Sequence, residues 1–145
     1  MKLTEHFTLE EFTDSPTALR KGISNMPNDT TIGNLQRVAE TLEKVRALFG
    51  VPLVISSGYR SVALNAAVGG AKNSAHLTGL AADFIVPGMT PSDTAKAIVK
   101  AGILFDQLIY EGTWVHIGLS AGAPRNEVLT AHFGGGPATY TRGIA

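Results

Sequence analysis

Phe105-Asp106-Gln107-Leu108-Ile109-Tyr110-Glu111-Gly112-Thr113-Trp114-Val115-His116-Ile117-Gly118-Leu119 is the stretch whose reading decides the fold. Two apolar runs, Phe105 to Glu111 and Trp114 to Leu119, flank Gly112-Thr113, and glycine first in a two-residue loop signals a tight type II′ hairpin. Strand alternation then sends Val115, Ile117 and Leu119 to the core face and Trp114, His116 and Gly118 to the opposite one. Glu111 pairs with Trp114 across such a loop and shares its face. It becomes a diagonal neighbour of His116, at about 7–8 Å between backbones. The same parity turns Asp106 to the other face, and a bulge in either strand would reverse that assignment.

Working outward, Leu53 to Ser57 reads as a strand leading into Gly58-Tyr59-Arg60, and Ala81 to Val86 as another short strand. Ahead of these strands lies the clearest helix of the chain. Ile32, Leu35, Val38, Ala39, Leu42, Val45, Leu48 and Phe49 recur at helical spacing, with Gly50 placed for a left-handed cap and Pro52 preventing continuation. Thr90-Pro91-Ser92-Asp93 starts a further helix that runs to about Ala101 and stops at Gly102, with Ala95, Ile98 and Val99 as its buried stripe. Thr8 with Glu11 three residues on forms a capping box for a short helix over 9–13, anchored by Phe7 and Phe12.

Asp14 to Asp29 is rich in Ser, Pro, Asn and Gly and reads as a long irregular surface connection. Ala63 to Gly70 reads as one or two helical turns followed by a polar loop. After Leu119 the chain is heavy in Gly, Ala and Pro and is expected to be an irregular tail over 120–145, with Glu127 to Phe133 as a short edge strand. The sum is an α+β fold: a small, mainly antiparallel sheet packed against helices. No internal repeat is present.

A chain of 145 residues with 44% apolar content builds one core, so a single domain over 1–145 is expected, with its centre at about 3–119. Twelve basic and twelve acidic side chains cancel, which leaves no broad positive field for nucleic acid or anionic lipid. The absence of cysteine excludes disulfides and thiolate ligands, so any metal site must be built from His and carboxylate. The first residues lack the apolar run of a secretory signal and no stretch is long enough to span a bilayer. The expectation is a monomer that is cytoplasmic when synthesised, without stable membrane association.

Chemistry concentrates around two of the four histidines. His76 lies between a polar loop and the strand that begins near Asp83, and His116 lies in the hairpin. Two imidazoles and a carboxylate, His76, Asp83 and His116, are a sound ligand set for a catalytic zinc ion, because three protein ligands leave one tetrahedral position open. Asp83 opens the apolar run Phe84-Ile85-Val86, where a lone carboxylate would be costly unless paired or metal-bound. The spacing alone is weakly diagnostic: His116 taken by itself reads as a structural histidine. Glu111 is placed to act as general base, with Asp106 the weaker alternative. Arg60 offers a cation for a free carboxylate or a developing oxyanion, Ser74 a hydroxyl at the same rim, and Trp114 an aromatic wall or simple packing.

Ser57-Gly58-Tyr59-Arg60-Ser61, then Asn65 and Gly69-Gly70, then Ser74-x-His76-x-x-Gly79-x-Ala81-x-Asp83, and finally Trp114-Val115-His116 together resemble the M15 family of zinc D-Ala-D-Ala peptidases. The resemblance runs from about Leu3 to Leu119. It is strongest to short phage and prophage forms, which begin with a comparable Glu-His-Phe-Thr-Leu-x-Glu-Phe segment, and the metal site is shared with hedgehog-type domains.

The resemblance implies one zinc ion held by His76, Asp83 and His116, Arg60 at the scissile carbonyl or the substrate carboxylate, and Ser74 and Trp114 in substrate binding. Many relatives carry an acid three residues before the last histidine. Thr113 stands there in this chain, and Glu111 occupies the position used by other branches. The implied function is hydrolysis of peptidoglycan stem peptides, of D-Ala-D-Ala carboxypeptidase or endopeptidase type, in a phage endolysin that reaches the wall after release. The alternatives are cleavage of an L-Ala-D-Glu bond and a zinc-containing binding module without catalysis.

Overall fold

The computed structural model describes residues 1–144, and the final residue of the expected tail, Ala145, lies outside them. Six strands form one sheet: β1 (Val54–Ser57), β2 (Ala81–Ile85), β3 (Gln107–Tyr110), β4 (Val115–Gly118), β5 (Glu127–His132) and β6 (Thr139–Arg142). Their order across the sheet is β1-β2-β4-β3-β5-β6. Only the β3–β5 pair is parallel. The hairpin has the predicted register, Ile109 opposite His116 and Tyr110 opposite Val115, with no shift in the ladder. Gly112 adopts φ +84°, a conformation that costs glycine least, and the Glu111 N–H donates to the Trp114 carbonyl at 3.1 Å to close the turn.

One face of the sheet, carrying Ala82, Phe84, Leu108, Val115 and Ile117, packs into the core. Helices α1 (Leu9–Thr13), α3 (Asp29–Phe49) and α5 (Pro91–Lys100) cover it, while the short α2 (Pro16–Lys21) and α4 (Val62–Ala67) lie between them in sequence. Leu35, Val38, Ala39, Leu42 and Val45 of α3 are all fully buried, as their periodicity requires. The helix starts three residues before its first apolar position because Asn28 caps it, accepting from the Thr31 N–H at 2.8 Å. In α5 the buried stripe is Thr94, Ala95 and Ile98. Val99 is 43% exposed, and Thr94 takes its place by bonding its hydroxyl to the Thr90 carbonyl at 2.9 Å. At the N-terminus the Thr8–Glu11 capping box is closed in both directions, and Phe7 and Phe12 are buried beneath it. Truncating either phenylalanine to alanine would cost about 3–5 kcal/mol.

Expectations for two further segments are corrected. Asp14 to Asp29 is not wholly irregular: Pro16–Lys21 forms α2, with Ser15 accepting from the Ala18 N–H at 3.1 Å and Gly22 ending it at φ +64°. The C-terminal segment is not an irregular tail either. Glu127–His132 joins the sheet as an interior strand, and Thr139–Arg142 forms the outermost one. The parallel β3–β5 pairing requires the chain to cross from the end of β4, which it does through residues 119–126. No described helix is long and apolar enough to cross a membrane.

Candidate metal centre

β2 and β4 are interior neighbours, and their register sets Asp83 directly opposite His116 on the face turned away from the core. Asp83 Oδ1 lies 2.9 Å from His116 Nδ1. The third group arrives from a 3-10 turn, Ala75–Thr78, which Ser74 caps by accepting from the His76 N–H at 3.2 Å. It places His76 Nε2 3.2 Å from the same carboxylate oxygen. The two imidazoles meet edge to face with centroids 5.1 Å apart. One donor atom from each of His76, Asp83 and His116 lies within 4.8 Å of the others, and all three residues are buried.

The remaining nitrogen of His76 fixes its tautomer. Nδ1 lies 2.6 Å from the Gly58 carbonyl, which only accepts, so Nδ1 carries the proton and the Nε2 lone pair of the neutral ring faces Asp83. A lone pair aimed at a carboxylate oxygen is satisfied by a cation placed between them, and a carbonyl that orients a ligand histidine is the usual support of a metal site. Burial opposes ionisation of Asp83, but the two imidazoles beside it, His116 foremost, outweigh burial and hold the carboxyl far below its ordinary value. Two nitrogens and a carboxylate oxygen fit zinc with a position to spare.

Gly58 is dictated by packing. A Cβ there would stand 2.6 Å from the Phe12 carbonyl oxygen and 2.7 Å from its Cα, because the end of α1 lies directly on the end of β1. A bulge between Ile55 and Ser57 turns the strand at this point, and the Tyr59 N–H donates to the Phe12 carbonyl at 2.8 Å. The Arg60 N–H then donates to the His76 carbonyl at 3.0 Å. Its guanidinium gives Nη2 to Ser74 Oγ at 3.4 Å and keeps a buried Nε without a partner. Burial lowers the Arg60 pKa, and the charges of Asp83 and Glu111 oppose that shift. Ser74 thus receives both Arg60 and the His76 N–H, leaving its own hydroxyl proton to offer.

Glu111 stands on the same face as His116. The Trp114 indole N–H donates to Glu111 Oε1 at 2.6 Å, leaving Oε2 available. Burial raises the Glu111 pKa, with His116 pulling it down and Asp83 pushing it up. Asp106 is turned away, as its parity predicts, and is tied to Arg125 through contacts of 2.8 and 3.0 Å. A cleft of about 400 Å³ opens beside the cluster, walled by Asp83, Trp114, Ser57, Arg60, Leu64 and the turn from Asp14 to Thr17.

Two parts of the site carried no readable signal. Asn25, inside the segment expected to be an irregular connection, gives Nδ2 to the Thr13 and Tyr59 carbonyls and accepts from the Ser61 N–H at 2.8 Å, pinning the turn that holds Arg60. Asp14 to Thr17 line the cleft, which a lone serine-proline pair does not announce. Asn65, noted in the sequence with Gly69-Gly70, is buried and ties its amide to the Ala71 carbonyl at 3.0 Å in the loop that leads to Ser74. His6 bonds Glu43 and His132 bonds Thr141, and neither is part of the cluster.

An α+β domain whose interior strands display two histidines and an aspartate around one point, beside an acid and an arginine, has the makings of a metal-dependent hydrolase. The Peptidase M15 family model matches residues 5–118, and the chain belongs to that peptidase family. No curated protein matches the chain.

Proposed function

We propose that the protein is a zinc metallopeptidase that hydrolyses peptide bonds in peptidoglycan stem peptides, of the D-Ala-D-Ala carboxypeptidase or endopeptidase type. The observation that carries the reading is the convergence of the His76, Asp83 and His116 cluster with Glu111 and Arg60 around one face of the sheet. Zinc bound there supplies Lewis-acid polarisation and water activation. Glu111 takes the proton of the attacking water through its free oxygen and returns it to the leaving amine, a role suited to a carboxyl raised by burial. Arg60 meets the carbonyl oxygen as negative charge develops on it, or the free carboxylate of the substrate, with its desolvated donors. Ser74 and Trp114 line the approach.

The setting we propose is a phage or prophage lytic enzyme that meets the cell wall after release, supported by the resemblance of the Glu5-to-Phe12 segment to such forms. Incubation of purified protein with muropeptides, with and without chelator, is the test. Free D-alanine or a new amino terminus that disappears on chelation is expected. Metal binding without turnover would make the domain a non-catalytic zinc module, and turnover without metal would overturn the proposal.

A further inference from the structure

The family match ends at residue 118, yet β5 and β6 continue the same sheet beyond it. Register decides which of their side chains join the catalytic face. Ile109 pairs with Leu129 in the parallel ladder, and Glu111, one step past Tyr110, falls beside Ala131. Across the next ladder Leu129 meets Arg142 and Ala131 meets Tyr140. Directly paired residues share a face, so Leu129, Ala131, Tyr140 and Arg142 lie on the side that displays Glu111 and His116. Ile109 and Ala131 are buried there although neither belongs to the main core. Tyr140 and Arg142 are the exposed residues of this shelf.

We propose that the β5–β6 hairpin forms the second wall of the substrate groove, so that the site binds a peptide extended on both sides of the reacting bond. The inference rests on the peptidase reading. The cleft on the Arg60 side occupies about 400 Å³, within the range of about 300–1,000 Å³ that takes a drug-sized ligand and more than a single terminal alanine needs. Trp114 and Glu111 separate it from the hairpin shelf, which continues the groove in the other direction. Strands lie about 4.8 Å apart, so Tyr140 stands roughly 10 Å from Glu111, a reach of about three extended residues. Burial raises the Tyr140 pKa and the charge of Glu111 raises it further, which agrees with a phenol turned toward the catalytic acid. The occupant is the substrate peptide itself: Arg142 offers a cation to the carboxylates of an anionic stem peptide, and Tyr140 and Leu129 offer an apolar surface to its backbone and small side chains.

The test measures equilibrium affinities of a stem pentapeptide and of the dipeptide D-alanyl-D-alanine for zinc-loaded protein carrying Glu111→Gln, so that turnover does not interfere. The pentapeptide is expected to bind more tightly than the dipeptide. Tyr140→Ala or Arg142→Ala should reduce the ratio of the two affinities about tenfold. Thr141→Ala, on the opposite face of the same strand, should keep the ratio. Equal binding of the two peptides, failure to bind either, or the same loss in all three variants would overturn the proposal. Hydrolysis of the pentapeptide by unmodified protein is scored separately and reports on the peptidase reading alone.

Discussion

Trp114 donates its indole N–H to Glu111 Oε1 across the hairpin turn at 2.6 Å, so that one oxygen of the carboxylate is committed and the other is presented to the cleft. The pairing follows from the two-residue loop, because directly opposed residues share a face. Glu111→Gln should keep this contact and remove the proton acceptor. Turnover on muropeptides should fall by at least about a hundredfold while zinc content, measured on the same sample, stays at the wild-type level. Retained activity would exclude Glu111 as the base.

Trp114→Phe removes a hydrogen bond that favours the charged form of Glu111, so the carboxyl should become harder to ionise. The acid limb of kcat/KM should therefore move to higher pH than in the unsubstituted enzyme. A limb that stays in place, or moves down, would separate Trp114 from the titration of the base.

Zinc should stabilise the fold through the three donors. At a free concentration about 100 times its Kd the gain is about 2.7 kcal/mol, measurable as a shift of the urea midpoint. His76→Ala or His116→Ala should abolish the gain. A shift that survives either substitution would place the ion elsewhere.

Gly58→Ala sets a methyl carbon 2.6 Å from the Phe12 carbonyl oxygen, a backbone atom that cannot swing aside. The expected cost is about 1–3 kcal/mol of stability in urea unfolding. Displacement of the Gly58 carbonyl should also loosen His76 and lower zinc affinity about 10–100-fold. A variant with normal zinc affinity would show that this support is dispensable.

Glu43 accepts from the Thr4 hydroxyl at 2.6 Å, the His6 N–H at 2.7 Å and the His6 ring at 2.6 Å. Burial acts to raise its pKa, and these bonds outweigh it, so the folded value lies below the ordinary 4.5. A depressed carboxyl contributes stability above its unfolded pKa and loses it as pH falls through the folded one. Between about pH 6 and about pH 3 the wild-type urea midpoint should drop more than that of Glu43→Gln. Parallel curves would show that the contact is energetically neutral.

The sequence made the centre of the fold readable where pattern and chemistry coincide. The hairpin offered period-two alternation and a glycine turn together, and the register followed to the residue, which is why Glu111 and Asp106 were separated correctly by face. Helix α3 was equally plain because its buried stripe repeats from Thr31 to Val45 without a break. Helix α2 has a serine cap, a proline at its first position and a glycine stop, but buries only Ala18, so periodicity has nothing to register. Strand β5 was legible as an edge strand over Glu127 to Phe133, but β6, which covers it, was obscured by Gly- and Pro-rich flanks and by its low burial, since an outer strand exposed along its whole length shows no alternation. Asn25 was invisible for a different reason: its value lies in three backbone groups brought to it by folding, not in its neighbours along the chain.

The close seating of Phe12 on Gly58 has a consequence for processing of the chain. A protease that removed the opening dozen residues would spare every ligand and the whole sheet. It would nonetheless withdraw the brace under the carbonyl that fixes the His76 ring, together with the buried Phe7 and Phe12, so such a clip should cost metal affinity and fold stability at once.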